Sequence, residues 1–266
     1  MAKIIEINDI NAPEIAPYLD LKSSKLKEER EIFIVESVKV IKTAIECGIS
    51  PQSFLMEKRQ IEGIGRELIE SFPDVPVFVS QRETLSRLTG FELTRGVLAA
   101  FYRPKMQDIN EILKKSKRIA VLERLSDSVN VGAIFRSAAA LGMDAVLLFN
   151  NCSQPLNRRS VRVSMGTVFQ IPWAFFESDI TAVEVLKQNG FKTAALALRD
   201  DTLPINDTLI KNAEKIALFL GSEGEGLNQE VINSCDYTVK IPMHHGVDSL
   251  NVAACAAIAF WEISNK

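Results

Sequence analysis

Histidine is nearly absent from this chain: there are two, His244 and His245, side by side. The four cysteines, Cys47, Cys152, Cys235 and Cys255, are scattered, and none stands at C-x-x-C spacing. These scarcities argue against a zinc site, which draws on clustered cysteine and histidine. They point instead to reduced, mostly buried thiols. No GK[ST] triplet occurs, and the stretch GSEGEG lacks the G-x-G-x-x-G spacing, so ATP and NAD sites are disfavoured. No apolar run reaches the ~18 residues of a membrane span. The opening MAKIIEIND has none of the basic start, apolar middle and small-residue cleavage site of a secretion signal. The expectation is a cytoplasmic protein without a membrane or metal partner.

Net charge is small, −3, which speaks against wholesale polyanion binding but leaves room for local basic patches. With 266 residues, 47% of them hydrophobic, the chain can fill the cores of one large or two ordinary domains. Apolar runs alternate with helical patterns. EIFIVE, SFLM, VPVFVS and RGVLAAFYR read as strands, with helices between them that include SVKVIKTAIECG. Residues 14–30 read as an amphipathic helix and a basic turn bearing Lys22, Lys25 and Lys27. This predicts a small α/β domain over residues 1–104. Residues 105–117 are polar and read as a linker with a short helix.

A second alternation fills 118–266. Its strands, RIAVLE, AVLLF, QIPWAFF, FKTAALAL, KIALFLG and YTVKIP, are separated by helices. Several are apolar throughout, the mark of a parallel sheet covered on both faces. Residues 150–169 read as mostly helical and expose Arg158, Arg159 and Arg162, with no acidic residue between Asp144 and Glu177. Three strand-to-helix junctions are polar and glycine-rich: SDSVNVGAIFR, LGSEGEGL and IPMHHGVDSLN. In a parallel sheet such loops emerge at one edge, so all three are expected to converge on one crevice.

The first junction carries Asn130, Gly132 and Arg136 as N-x-G-x-x-x-R. The second carries Leu220, Gly221, Ser222, Glu223, Gly224, Gly226 and Leu227. The third carries Ile241, Pro242, Met243, Asp248, Ser249, Leu250, Asn251 and Val252. Taken in order they resemble the three motifs of the SpoU (TrmH-like) RNA ribose 2′-O-methyltransferases, over about 118–266. SSKLKEEREIFIVES and RGVLAAF resemble that family's amino-terminal substrate-binding domain, related to RNA-binding ribosomal proteins. Ser37 stands where a glycine often follows in that motif.

The resemblance implies a deep trefoil knot in the carboxyl-terminal domain, an arrangement otherwise almost absent from proteins. It also implies S-adenosylmethionine as cofactor and a homodimer. Carried over by position, main chain around Leu196, Gly221, Ile241 and Leu250 would hold the adenosine, glycine at 221 letting the chain pass close to a ring. Arg136 would stand near the target phosphate and 2′-oxygen, with Asn130, Glu223, Ser249 and Asn251 around it. A guanidinium stays protonated in ordinary settings, so Arg136 is expected to clamp phosphate and stabilise the developing alkoxide. Glu223 is a proton acceptor or a partner of Arg136. One of Ser249 and Asn251 is expected to cap the last helix, and the histidines to be loop residues.

RNA contact is expected from Lys22, Lys25 and Lys27, and phosphate contact from Arg158, Arg159 and Arg162, against the alternative of solvated surface. The amino-terminal module favours ribosomal RNA over tRNA. A tRNA 2′-O-methyltransferase, a knotted base methyltransferase and a non-catalytic RNA-binding relative are the alternatives.

Overall fold

A computed structural model of the chain describes residues 3–9, 11–19, 31–89, 96–176, 179–199, 202–222, 224–247 and 249–264. By its contacts the chain divides into two units: Met1–Lys105 with Leu156–Phe169, and Met106–Pro155 with Gln170–Lys266.

Unit one is built from β1 (Ile4–Glu6), β2 (Ile32–Glu36), α1 (Val38–Glu46), β3 (Pro51–Glu57), α2 (Arg66–Ser71), β4 (Val77–Ser80), α3 (Arg82–Thr89) and β5 (Val97–Tyr102). The sheet runs β1-β4-β3-β5-β2, with β5 antiparallel to β2 and β3 and the other pairs parallel. Strand β1 has too few apolar residues to stand out in the sequence. Of the helix and basic turn expected over 14–30, residues 20–30 lie outside the described residues, and the described start is a 3-10 segment, Pro13–Tyr18, where Pro17 lacks the N–H donor of a regular helix. Lys22, Lys25 and Lys27 lie outside the described residues. Tyr18 is fully buried, its hydroxyl bonded with Ser53 O and accepting from Ala100 N at 3.1 Å. Ser37 has φ 85°, which is the conformation that makes glycine the easier residue at that motif position.

Unit two begins with α4 (Ile109–Lys115), β6 (Arg118–Leu122), α5 (Ser128–Ala140) and β7 (Ala145–Phe149). Helix α4 is the short helix expected within the linker stretch. Asp108 caps it, accepting from Asn110 N at 2.7 Å, and its Ile112 and Leu113 are buried in the core of unit two.

The next helix, α6 (Arg158–Val163), belongs by its contacts to unit one. Only this helix and a 3-10 turn, Thr167–Phe169, stand where a mostly helical stretch was expected over 150–169. Phe169 packs on Phe33 of β2, ring centroids 5.7 Å apart. The chain then returns to unit two with β8 (Trp173–Phe176), α7 (Asp179–Gln188), β9 (Lys192–Leu196), β10 (Leu203–Pro204), α8 (Thr208–Lys211), β11 (Ile216–Leu220), α9 (Gln229–Ser234), β12 (Tyr237–Lys240) and α10 (Val252–Ser264).

The seven-stranded sheet has the order β10-β12-β9-β11-β6-β7-β8. Every neighbouring pair in it is parallel. Strands β6, β7 and β11 are buried at every position. This is the physical content of their nearly unbroken apolar sequences, each large apolar side chain contributing about 1.5–3 kcal/mol by burial. From β6 the chain builds outward through β7 and β8, then crosses to the other side of β6 for β9, with β11 later filling the gap. Such a reversal of direction opens a crevice at the carboxyl ends of the strands. Among the described residues no helix is long and apolar enough to cross a membrane.

Candidate active site

All three glycine-rich junctions lie at that edge. Helix α5 opens at Ser128, capped by Asp127, whose carboxylate accepts from Val129 N at 2.8 Å. Asn130 and Gly132 are therefore in the first turns of the helix rather than in the preceding loop. At the other end of the chain, Asn251 does two things at once. Its Oδ1 accepts from Ala253 N at 3.0 Å, capping α10. Its Nδ2 donates to Asn130 Oδ1 at 3.1 Å. Residues 121 positions apart are thus joined side chain to side chain, because α10 packs along α5 and buries Ala256, Ala259 and Phe260.

Beside this pair lies a pocket of about 390 Å³, within the size range of small-molecule sites. The ends of β9, β11 and β12 and the two later junctions form its wall. Leu196, Gly221, Ile241 and Leu250, the four residues expected at the adenosine, all line it, as does Ser249. The motif residues Leu227, Met243 and Val252 line it too. So do Leu198 and Glu225, which were not anticipated and whose one advance signal was position, one or two residues from an expected one. The lining combines apolar side chains with strand-end main chain, which suits a flat heteroaromatic group read at its edge by peptide groups.

The fold itself gives a reason for glycine at 221. A Cβ there would lie 2.3 Å from Gly226 C and from Leu227 N, and 2.6 Å from Gly226 O. The loop closes on itself at this point through a bridge between Ser222 and Gly226. The returning main chain by itself excludes a side chain there.

Arg136 is exposed on α5. Among the described residues no hydrogen bond or ion pair engages it, so the arrangement joins Asn130 to Asn251 and leaves the Arg136 guanidinium to solvent. Glu223 lies outside the described residues. His244 and His245 are on an exposed turn, and among the described residues no cluster of histidine, cysteine and carboxylate could hold a metal ion.

The three arginines of α6 are not the single free cationic face that was expected. Arg158 Nη1 donates to Glu36 Oε2 at 2.9 Å, and Arg162 Nη1 stands 3.6 Å from the same oxygen. Glu36 is buried, 6% exposed. Burial pulls the Arg158 pKa down, with Glu36 opposing it. Arg159 remains exposed. The neutralising carboxylate comes from 122 residues away, which no inspection of the local sequence could supply.

Residues 117–261 match the model of the SpoU rRNA Methylase family. An uncharacterized tRNA/rRNA methyltransferase of Mycobacterium tuberculosis is 32% identical over 262 residues, covering 97% of this chain and 90% of that protein. The chain belongs to the SpoU (TrmH) family of RNA methyltransferases. Solved structures agree in fold. The AdoMet-bound rRNA methyltransferase of Sinorhizobium meliloti superposes with a TM-score of 0.84 at 23% identity, over 98% of this chain and 97% of that one. The SpoU methyltransferase AviRb of Streptomyces viridochromogenes, in complex with AdoMet, gives 0.79 at 23% identity, over 92% and 94%.

Proposed function

We propose that this SpoU-family protein transfers a methyl group from S-adenosylmethionine to a ribose 2′-hydroxyl of structured RNA, ribosomal RNA in preference to tRNA. The observation that carries the reading is the single pocket lined by Leu196, Gly221, Ile241 and Leu250, with the Asn130–Asn251 pair beside it. The residues fit the cofactor: apolar side chains and strand ends for the adenosine, and polar Ser249 at the rim. When bound, the cofactor supplies an electrophilic methyl on a sulfonium centre.

The protein's own part is mostly alignment, since the attacking hydroxyl must lie in line with that methyl. Asn130 and Asn251, each oriented by the other, present amide groups on this side of the site. Arg136, uncommitted within the described chain, is free to clamp a phosphate and stabilise the alkoxide as the proton leaves. Glu223 takes that proton or holds Arg136. Arg159 and the lysines at 22, 25 and 27 contact RNA phosphates, and unit one is the ribosomal-protein-like substrate module.

The reading includes a trefoil knot. In its support, β12 is inserted between β9 and β10, which follow each other directly in the chain. It also includes a homodimer. Ile258 and Trp261 of α10 are 38% and 57% exposed, an apolar face that a second copy would cover.

The test is methyl transfer from radiolabelled S-adenosylmethionine to ribosomal RNA and to tRNA, followed by alkaline digestion and nucleoside mass spectrometry. The expected product is an alkali-resistant dinucleotide from ribosomal RNA. A methylated base, or no incorporation into either RNA, overturns the reading.

A further inference from the structure

Two adjacent residues at the end of β6 hold the loop that walls the pocket between β11 and α9. Where the loop begins, Glu123 N donates to Leu220 O at 2.9 Å. Where it ends, the fully buried Glu123 carboxylate accepts from Asn228 N at 2.9 Å. Between these points Arg124 Nη1 donates to Glu225 Oε2 at 3.2 Å, and Glu225 lines the pocket. Arg124 has φ 57°, a left-handed conformation uncommon for a non-glycine residue. It is kept there by Arg124 N donating to Asn151 Oδ1 at 2.8 Å and by Ser126 N donating to Arg124 O at 3.1 Å. Backbone strain of this kind persists where surrounding contacts over-determine it, and it clusters at functional sites.

We propose that Arg124 is a positioning residue for the cofactor, its ion pair with Glu225 holding the pocket wall in its binding shape while Glu123 anchors the ends. The inference rests on the reading of this pocket as the S-adenosylmethionine site. Charge favours it over an RNA contact. Arg124 stands between two carboxylates, 3.2 Å from Glu225 and 3.9 Å from Glu123, so its charge is balanced inside the chain, and a phosphate would have to displace both. The pair is solvent-accessible, with side chains 37% and 77% exposed. The expected effect is therefore modest, about two- to fivefold in affinity, and screened by salt.

The experiment is calorimetric titration of the full chain with S-adenosylmethionine, combined with steady-state methyl transfer. R124Q and E225Q should each weaken cofactor binding about two- to fivefold, raising the cofactor KM more than they lower kcat. The double variant R124Q/E225Q should be no worse than either single one. High salt should narrow the gap between wild type and the singles. Unchanged cofactor affinity in both singles, or a double variant whose losses simply add, overturns the proposal. So does R124Q losing RNA affinity while keeping cofactor affinity, which would make Arg124 a phosphate contact. A wild-type chain that binds no S-adenosylmethionine overturns the reading of the pocket itself, a failure visible before any variant is made.

Discussion

Consider a single methyl group added at Gly221. In Gly221→Ala the new Cβ meets backbone atoms at 2.3 to 2.6 Å, where ordinary contact begins near 3.4 Å. The returning strand must therefore retreat by roughly 1 Å, and peptide groups have no rotamer through which to yield. Overpacking of this kind costs about 1–3 kcal/mol. The shift also threatens the Gly226 N–H bond to Ser222 O, 3.0 Å in length, worth about 0.5–1.5 kcal/mol net. The combined penalty of about 2–4 kcal/mol appears either as lost stability or as a displaced loop. Charged wholly to the loop, it weakens S-adenosylmethionine binding by about 30- to 1,000-fold. Charged wholly to stability, it lowers the Tm by about 4–16 °C. Gly224→Ala, in the same loop with nothing within 4 Å of its Cβ, is the matched control for stability and should leave the Tm unchanged. Calorimetric titration and thermal melts of the three proteins decide the matter. Gly221→Ala with wild-type affinity and Tm would refute the argument from the loop's closure.

Asn251→Asp keeps the oxygen that caps α10 but removes the donor to Asn130, so turnover should fall tenfold or more with the melting temperature nearly unchanged; equal losses in both would mean a structural role only. Arg136→Lys should retain much of the RNA affinity, measured by filter binding, while losing most turnover, because an ammonium cannot reproduce the planar fork; near-normal turnover contradicts the clamp. Glu36→Ala removes the carboxylate that accepts from Arg158 Nη1 and should cost about 1.5–3 kcal/mol in urea unfolding, with Glu36→Gln milder because an oxygen acceptor remains. Asp236 is half-exposed, and although burial pushes its carboxyl up, bonds from Thr193 N, Lys187 and Thr193 Oγ1 leave it below the usual aspartate value. A depressed pKa contributes stability that is present above the unfolded value and lost as pH falls through the folded one. Acid unfolding of Asp236→Asn should therefore show a smaller loss between neutral pH and the acid range than wild type does.

Much of the catalytic unit was legible because its signals are local. Strands β6, β7 and β11 are apolar at nearly every position, and a strand buried on both faces leaves no other reading. Polar, glycine-rich stretches at three strand ends point to one edge by the geometry of parallel sheets alone. Unit one was harder. Its sheet mixes directions, β1 is three residues long, and Pro17 lies within a short 3-10 segment. Around α6 the alternation simply misled. Val161 and Val168 are buried, and the segment joins unit one although it lies between two strands of the other sheet.

The histidine and cysteine scarcity, the apolar strands and the order of the motif residues are properties of the chain read along itself, so the sequence by itself determined the α/β class, the parallel sheet and the residues of the candidate site. Tertiary structure alone decided which partners those residues have. It joined Asn251 to Asn130, gave Arg158 to Glu36, set Arg124 on Glu225, and made Gly221 a requirement of a loop closing on itself. Each of these depends on distances between atoms far apart in sequence, and hydrogen bonds and steric exclusion act over a few ångströms of space whatever the separation along the chain.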